Sequence, residues 1–214
     1  MTLAIEDLGV RRGSRIVLDE LSLVVEAGEI VGLVGPNGCG KSTLIACIAG
    51  VLAPRDGRVT IGGASVWGSR ADRQRARRAL GYVPEGADVP GFLTATELWG
   101  LCAAARGIGP PTRELRDALG LDEVADLALE RMSLGQRRRA CLGAALLGPP
   151  ALLVLDEPDN GLDAQRLAAL VKLLKAHAAA GGATVLASHD AAWLDQLGAR
   201  IFPMTLIALS EQAP

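Results

Sequence analysis

The sequence predicts an α/β fold in which a sheet-based core is interrupted by a helical segment. In residues 1–84 and 151–214, apolar runs of strand length alternate with segments of helical periodicity. In residues 85–150 the strand pattern stops, and segments rich in Ala, Leu and Arg predict helices instead. Of the 214 residues, 50% are apolar, which is enough for one sizeable core. We therefore expect a single domain, residues 1–214, in which residues 85–150 form a helical subdomain.

The expected elements follow from apolar runs and from capping and turn residues. Strands are expected at residues 2–5, 16–25, 29–34, 57–61, 80–83, 151–156, 184–187 and 199–203. Helices are expected at residues 42–49, 94–106, 112–119, 121–129, 136–147, 165–180 and 191–197. A run rich in arginine lies between Arg70 and Arg78, and either a solvated helix face or a mobile loop explains it.

Charge and hydropathy exclude several classes of protein. The net charge is −2 with acids and bases interspersed, so that we expect no nucleic acid partner. The richest apolar stretch, residues 141–155, is broken by Gly148-Pro149-Pro150 and does not have the length that spans a bilayer. The first residues carry acids and no basic n-region, and the four cysteines show no metal-ligand spacing. These features predict a cytoplasmic protein without structural disulfides.

Residues 35–43, which read GPNGCGKST, are typical of a loop that holds nucleotide phosphates. The glycines allow a tight turn that points backbone amides inward, the lysine supplies a positive charge, and the serine supplies a hydroxyl for a metal ion. A buried strand precedes the loop and a helix N-terminus follows it, which a chance glycine-rich turn would not require. The candidate nucleotide-binding residues are therefore Gly35, Pro36, Asn37, Gly38, Cys39, Gly40, Lys41, Ser42 and Thr43.

A second candidate site follows the uninterrupted apolar run of residues 151–155. Such a run predicts a strand buried on both faces, and ligands of parallel sheets bind beyond the carboxyl ends of the strands. We therefore expect Asp156 to share a magnesium ion with Ser42. A carboxylate bound to a cation is a poor base, so that the neighbouring Glu157 is the candidate to orient and deprotonate an attacking water. The alternative is that these residues merely end a strand.

Residues 132–136, which read MSLGQ, precede a helix rich in apolar residues. Ser133 and Gln136 fit a capping box, in which both side chains satisfy backbone amides at the start of a helix. A helix N-terminus also attracts anions, and Gly135 allows a phosphate to approach the backbone closely. The two interpretations are compatible.

With these motifs in this order, the chain resembles the ATP-binding cassette ATPases over nearly its whole length. GPNGCGKST matches their phosphate loop, MSLGQ their signature sequence and LLVLDEP their second nucleotide motif. Residues 160–163 are similar to the loop that follows, and Ser188-His189 is similar to their switch histidine. The resemblance implies ATP and Mg²⁺ as cofactors. It also implies a P-loop NTPase core with a mixed sheet, an antiparallel β region near residues 2–25 and an inserted α-helical subdomain.

The resemblance further implies a head-to-tail pair of cassette domains that encloses two ATP molecules. The signature of one copy would close over the γ-phosphate that the phosphate-loop lysine of the other copy holds. His189 would contact that phosphate and orient the water together with Glu157, unless it is only a polar residue beside a helix. Asp163 would contact the opposite copy, although it also fits an ordinary helix N-cap. The signature residues are Ser133, Leu134, Gly135 and Gln136, and the lysine is Lys41.

Three positions depart from the usual pattern of that family. Leu134 replaces the first glycine of the signature, which leaves the geometry of closure open. Glu85 replaces a glutamine that usually faces Mg²⁺ and the water; a glutamate can also ligate magnesium, and the pattern Tyr-x-Pro-Glu is similar to that of bacterial drug-export cassettes. Arg12 lies near the usual position of an aromatic residue that stacks on adenine. Its guanidinium plane can stack on a base, or it is a solvated loop arginine.

The resemblance therefore predicts an ATP-hydrolysing subunit that powers a membrane transporter, an exporter, through separate membrane subunits. We expect the coupling surface between the Glu85 loop and the helices that follow, where Phe92, Leu98 and Trp99 either line a groove for a partner or belong to the core. One alternative is a cassette ATPase that works on DNA, ribosomes or division machinery, but coiled-coil insertions and tandem domains are missing. The other is a regulatory module without turnover, against which Glu157 argues.

Overall fold

The computed structural model describes residues 1–87 and 89–206. The expected ranges 1–214 and 151–214 extend beyond the described residues, and Asp88 in the range 85–150 lies outside them. The strands are β1 (Leu3–Arg12), β2 (Arg15–Val25), β3 (Ile30–Val34), β4 (Asp56–Ile61), β5 (Ala64–Ser65), β6 (Leu80–Val83), β7 (Leu152–Asp156), β8 (Ala183–Ala187) and β9 (Arg200–Pro203). The helices are α1 (Lys41–Ile48), α2 (Arg70–Arg78), α3 (Ala95–Arg106), α4 (Arg113–Leu119), α5 (Leu134–Ala145), α6 (Ala164–Ala179) and α7 (Ala191–Leu197).

The strands form two sheets that differ in strand direction. An antiparallel sheet has the order β2-β1-β4-β5, and a parallel sheet has the order β6-β7-β8-β3-β9. The expected α/β fold with an antiparallel N-terminal region is confirmed, and the two strand directions belong to separate sheets. The first strand is longer than expected because it continues to Arg12, which pairs with Arg15 across the hairpin.

The parallel sheet forms the centre of the nucleotide-loop half of the chain. Strands β7 and β8 are buried along their full lengths, as the uninterrupted apolar run of β7 predicts. Helix α1 packs against both strands, and α6 packs against β8. Because neighbouring parallel strands end at the same edge of a sheet, the loops after β3, β6, β7 and β8 lie along one edge.

Helices α3, α4 and α5 share a hydrophobic core in the segment between β6 and β7. Leu98 and Trp99 belong to this core, and the Trp99 indole N–H donates to the carbonyl oxygen of Ala140 at 2.9 Å. Of the three apolar residues that were candidates for a partner groove, Phe92 is exposed, whereas Leu98 and Trp99 are buried.

The expected helix at residues 121–129 is wrong. The chain forms two short 3₁₀ turns there, Leu121–Glu123 and Leu129–Arg131. The carbonyl oxygens of Ala125 and Leu127 accept hydrogen bonds from the first amides of α3, which have no partner within their own helix. The apolar spacing is helical, but these longer-range hydrogen bonds hold the backbone in another conformation.

The arginine-rich run forms helix α2 rather than a loop. Ser69 caps this helix, because its hydroxyl oxygen accepts a hydrogen bond from the Asp72 amide at 3.2 Å. In the ranges 1–87 and 89–206, no helix combines the length and the apolar character that crossing a bilayer requires.

Candidate active site

The phosphate loop joins β3 to α1 and folds around its own lysine. Lys41 is buried, and its Nζ donates to the carbonyl oxygens of Gly35 and Pro36 at 2.8 and 3.4 Å. Gly40 precedes α1 with a φ of 104°, in a region that favours glycine. No described side chain caps the start of α1, so that its first amides remain available to an anion.

Close packing behind the loop explains two more of its residues. A Cβ atom at Gly35 would overlap the carbonyl oxygen of Met204 and lie 2.8 Å from the sulfur of Cys39. Only glycine fits this position without a shift of the backbone. Cys39 is buried, and it therefore supports the loop from within the protein.

The carboxylate of Asp156 lies beside the phosphate loop at the end of β7. It is buried, and the Ser42 side chain is hydrogen-bonded to it. The pKa of Asp156 is raised to about 6, chiefly by burial and to a smaller extent by the negative charges of Glu85 and Glu157, against the opposing effect of the Ser42 hydrogen bond. The Oδ1 atom of Asp156 is buried without a hydrogen-bond partner among the described residues. A buried acceptor of this kind is unfavourable until a cation or a donor reaches it.

The side chains at this edge fit a magnesium ion that is shared with a nucleotide. In the described part of the chain, no three His, Cys, Asp or Glu side chains are grouped to hold a metal by themselves. Protein magnesium sites commonly use one or two carboxylates and take further ligands from phosphates and water. Asp156, Ser42 and Glu85 offer two carboxylates and one hydroxyl, so that bound phosphates would have to complete this donor set.

Glu157 follows β7 in the left-handed region of backbone conformation, with a φ of 51°. Its Oε1 lies 2.9 Å from Nε2 of His189, and its Oε2 accepts a hydrogen bond from Nδ2 of Asn160 at 3.0 Å. The Glu157 side chain is 8% exposed and that of His189 is 54% exposed, so that the histidine covers the open side of the carboxylate. Burial raises the pKa of Glu157 above its ordinary value, which suits a group that must accept a proton.

A hydrogen bond of Ser188 connects the loops that carry Glu157 and His189, and a second one orders the His189 loop itself. The Ser188 hydroxyl donates to Oδ2 of Asp159 at 2.9 Å and accepts from the Asp190 amide at 3.0 Å. The sequence interpretation gave Asp159 no role, although its position two residues after Glu157 was a usable signal. The hydrogen bond between Ser188 and Asp159 holds the two loops together.

A cleft of ≈ 630 Å³ lies along this edge. Arg12 lines it from the end of β1, and Arg15 lines it from the start of β2. The Arg15 guanidinium donates to the carbonyl oxygen of Gly38 at 3.3 Å, which the sequence interpretation missed. The other lining residues are Val17, Asn37, Gly38, Gly40, Lys41, Ser42, Thr43, Glu85, Glu157, Asn160 and His189.

The signature residues lie at the start of α5, outside this cleft lining. Ser133 and Gln136 form the expected capping box, with hydrogen bonds of 2.9 and 3.2 Å. Leu134 is 52% exposed. Gly135 packs so closely on Gly161 that a Cβ atom would overlap its carbonyl oxygen, which joins the signature to the loop before α6.

Asp163 caps helix α6. Its Oδ1 accepts a hydrogen bond from the Arg166 amide at 2.8 Å, as an ordinary N-cap does. Arg166 in turn lies 3.0 Å from Glu123, which connects this helix to the helical segment. The proposed contact between Asp163 and an opposite copy involves an exposed position.

Comparison with known proteins identifies the family of this chain. The family described as "ABC transporter" matches residues 18–160. The zinc import ATP-binding protein ZnuC of Cereibacter sphaeroides is 38% identical over 192 residues, which cover 89% of this chain and 74% of that protein. The cytochrome c biogenesis ATP-binding export protein CcmA of Gluconobacter oxydans is 37% identical over 204 residues, which cover 94% of this chain and 87% of that protein.

Solved structures share the fold. A structure of the ATP-binding subunit of an ABC transporter matches with a TM-score of 0.87 and 28% identity, over 96% of this chain and 88% of its own. A dimeric, post-hydrolysis structure of the ATP-binding cassette MJ0796 bound to ADP and Pi matches with a TM-score of 0.81 and 24% identity, over 95% of this chain and 96% of its own. The chain therefore belongs to the ABC transporter family, as an ATP-binding cassette domain that hydrolyses ATP.

Proposed function

We propose that the chain hydrolyses Mg·ATP in a site that a second cassette domain completes, and that it thereby powers export through separate membrane subunits. The observation that carries the proposal is the division of the site. Residues of the phosphate loop line one cleft together with Glu85, Glu157 and His189, and Asp156 is buried beside the loop. The signature at Ser133 lies outside this lining. A second cassette, either a copy of this chain or a different one, would bring its own signature to the cleft and complete the charge-stabilising groups.

Each residue in the cleft has a role that follows from its contacts. Lys41 exchanges the loop carbonyl oxygens for phosphate oxygens, and the amides at the start of α1 bind the same group. Magnesium would be held by Ser42, Asp156 and Glu85. When bound, it would neutralise negative charge on the phosphates. Glu157 accepts the proton of the attacking water. His189 moves away from Oε1 of Glu157 and contacts the γ-phosphate.

Arg12 is our candidate for the contact with adenine. It is exposed and lines the cleft at the end of β1, before the β1–β2 turn. A guanidinium plane can stack on the face of a base without forming base-specific hydrogen bonds. The selectivity for adenine over other bases would therefore be low.

The partner surface lies on the segment that follows Glu85. Phe92 is 76% exposed, and Leu101 is exposed on α3, so that apolar side chains are available to a helix of a membrane subunit. In this proposal residues 85–150 act as the helical subdomain that carries both the docking surface and the signature. A movement of the partner subunit would then be transmitted through α5 to the bound ATP. The complex would lie at the cytoplasmic face of the membrane.

The direction of transport is part of the proposal. The CcmA relative, described as an export protein, is matched over a larger share of both chains than the ZnuC relative, described as an import protein. The Tyr82-Val83-Pro84-Glu85 pattern points the same way through its similarity to export cassettes.

Two measurements test the composite site: ATP-driven dimerisation of the purified chain, and the number of cassette domains in its complex with membrane subunits. The Glu157→Gln variant, which should trap the closed state, is expected to form dimers with one ATP per chain in analytical ultracentrifugation with Mg·ATP. The Lys41→Ala variant is the control and should stay monomeric. Monomers at every ATP concentration, together with a single unpaired cassette in the membrane complex, would contradict the proposal.

A further inference from the structure

Arg138 lies in the interior of α5 and is 1% exposed. Among the described residues its guanidinium forms no ion pair, and it is held by backbone carbonyl oxygens instead. Burial lowers the pKa of Arg138, against the opposing effects of nearby Asp156 and Glu85. Burial of a cation costs free energy unless the groups around it are held in a fixed arrangement. The arrangement of the groups around Arg138 is therefore structurally important.

The carbonyl oxygens that Arg138 contacts belong to two neighbouring strand ends. Its Nη1 donates to Pro84 at 3.0 Å and to Asp156 at 3.1 Å, and its Nη2 donates to Glu85. The backbone pairing of β6 with β7 ends just before these residues, at Val83 and Leu155. The planar fork of Arg138 therefore continues the connection between β6 and β7 beyond their last backbone pair.

The neighbouring arginines of α5 point to other parts of the molecule. Arg137 donates from Nε to the carbonyl oxygen of Leu129 at 3.1 Å, and Arg139 lies 2.7 Å from Glu123. Both contacts stay within the helical segment. Of these three arginines, Arg138 contacts the edge where the candidate metal ligands lie.

We propose that Arg138 is a positioning residue for the magnesium ion. It fixes Asp156, the last residue of β7, and Glu85, which follows β6 and Pro84, at a separation that lets both carboxylates reach one ion. It also connects this edge to α5, whose N-cap is Ser133, so that closure of the signature on a nucleotide changes the position of the metal ligands. The inference rests on the metal ligands of the proposed function.

The test compares Arg138→Lys and Arg138→Gln with Arg137→Gln. Lysine keeps the positive charge but cannot span three carbonyl oxygens, whereas Arg137→Gln removes an arginine of the same helix that contacts Leu129. Three quantities are measured: ATP affinity in EDTA, the affinity of the ATP complex for Mn²⁺ by electron paramagnetic resonance, and the melting temperature. For both Arg138 variants we expect Mn²⁺ affinity to fall about tenfold or more, as is usual when a residue that orients a metal ligand is removed.

ATP affinity in EDTA is expected to stay within about twofold of the wild-type value, because the guanidinium of Arg138 donates to Pro84, Glu85 and Asp156, which lie outside the phosphate loop. Arg137→Gln should change neither affinity. If the Arg138 variants lose only melting temperature and keep their Mn²⁺ affinity, Arg138 is a purely structural residue and the inference is wrong. A wild-type chain that binds ATP but no divalent cation would instead contradict the proposed function.

If the Arg138 variants do not fold, hydrogen exchange of the wild-type chain tests the inference instead. Adding Mg²⁺ to the ATP complex is expected to slow amide exchange in residues 85–87 and in residues 136–140 together, because Arg138 links the two segments. Slower exchange in residues 85–87 without any change in residues 136–140 would overturn the inference.

Discussion

The phosphate-loop region and the signature region are built in opposite ways. Lys41, Asp156 and Glu157 are buried and held by contacts within the chain, so that one half of the site is preorganised. At the signature, the capping box satisfies the helix start, while Leu134 is exposed. In the proposed function, the chain binds a nucleotide with the first region and presents the second to a partner.

The largest expected effect is on the preorganised side. Glu157→Gln keeps the shape of the side chain but removes the proton acceptor, so that the hydrolysis rate should fall about 10³-fold while ATP affinity is kept. Phosphate release and equilibrium ATP binding measure the two quantities. Glu114→Gln, at an exposed position on α4, is the control, and an unchanged rate in Glu157→Gln would remove Glu157 from this role.

The next effect is on the partner side. Ser133→Arg introduces a bulky charge at the signature and should lower hydrolysis about 100-fold through loss of association, with nucleotide binding intact. Thr112→Arg is a matched control because Thr112 also caps a helix, by accepting from the Leu115 amide. Sedimentation with Mg·ATP separates the two, and association of Ser133→Arg at wild-type affinity would refute a composite site.

A smaller effect is expected within the preorganised half at Asn160. Its amide holds Oε2 of Glu157, so that Asn160→Ala should lower kcat about tenfold and leave KM unchanged. Steady-state kinetics at saturating Mg²⁺ measures both, with Gln74→Ala on α2 as the control. A variant that changes KM alone would show that Asn160 acts in binding instead.

The smallest effect is expected on ATP-driven association, at Leu134 of the signature. Leu134→Gly removes an exposed side chain from the signature and should strengthen ATP-driven association a few-fold, although glycine costs up to about 1 kcal/mol of helix stability. Leu101→Gly, an exposed leucine on α3, controls for that cost. Weaker association in Leu134→Gly than in Leu101→Gly would mean that the leucine contributes to closure.

Much of the fold was predictable because it depends on local patterns. The run of residues 151–155 gave a buried strand, the bounds of β6 and α7 match the expected ranges, and the capping box at Ser133 formed as its spacing predicts. The helix expected at residues 121–129 did not form, because its carbonyl oxygens pair with the start of α3. Local periodicity does not report such competition.

The convergence of the phosphate loop with Asp156 and Glu157 was also predictable, since the carboxyl ends of parallel strands share an edge. The contacts that fix these groups were not. Arg15 reaches Gly38, and Ser188 reaches Asp159, across long stretches of sequence. These pairs depend on how the two sheets and their loops pack, and no motif within either segment encodes them.

The most direct test of the divided site is calorimetry of Mg·ATP binding to the isolated chain and to two variants. The account predicts one ATP per monomer for the wild-type chain, the same affinity for Ser133→Arg, and no measurable binding for Lys41→Ala. It is contradicted if Ser133→Arg loses binding as Lys41→Ala does, because the signature would then contact the nucleotide of its own chain. Absence of Mg·ATP binding to the wild-type chain would contradict it as well.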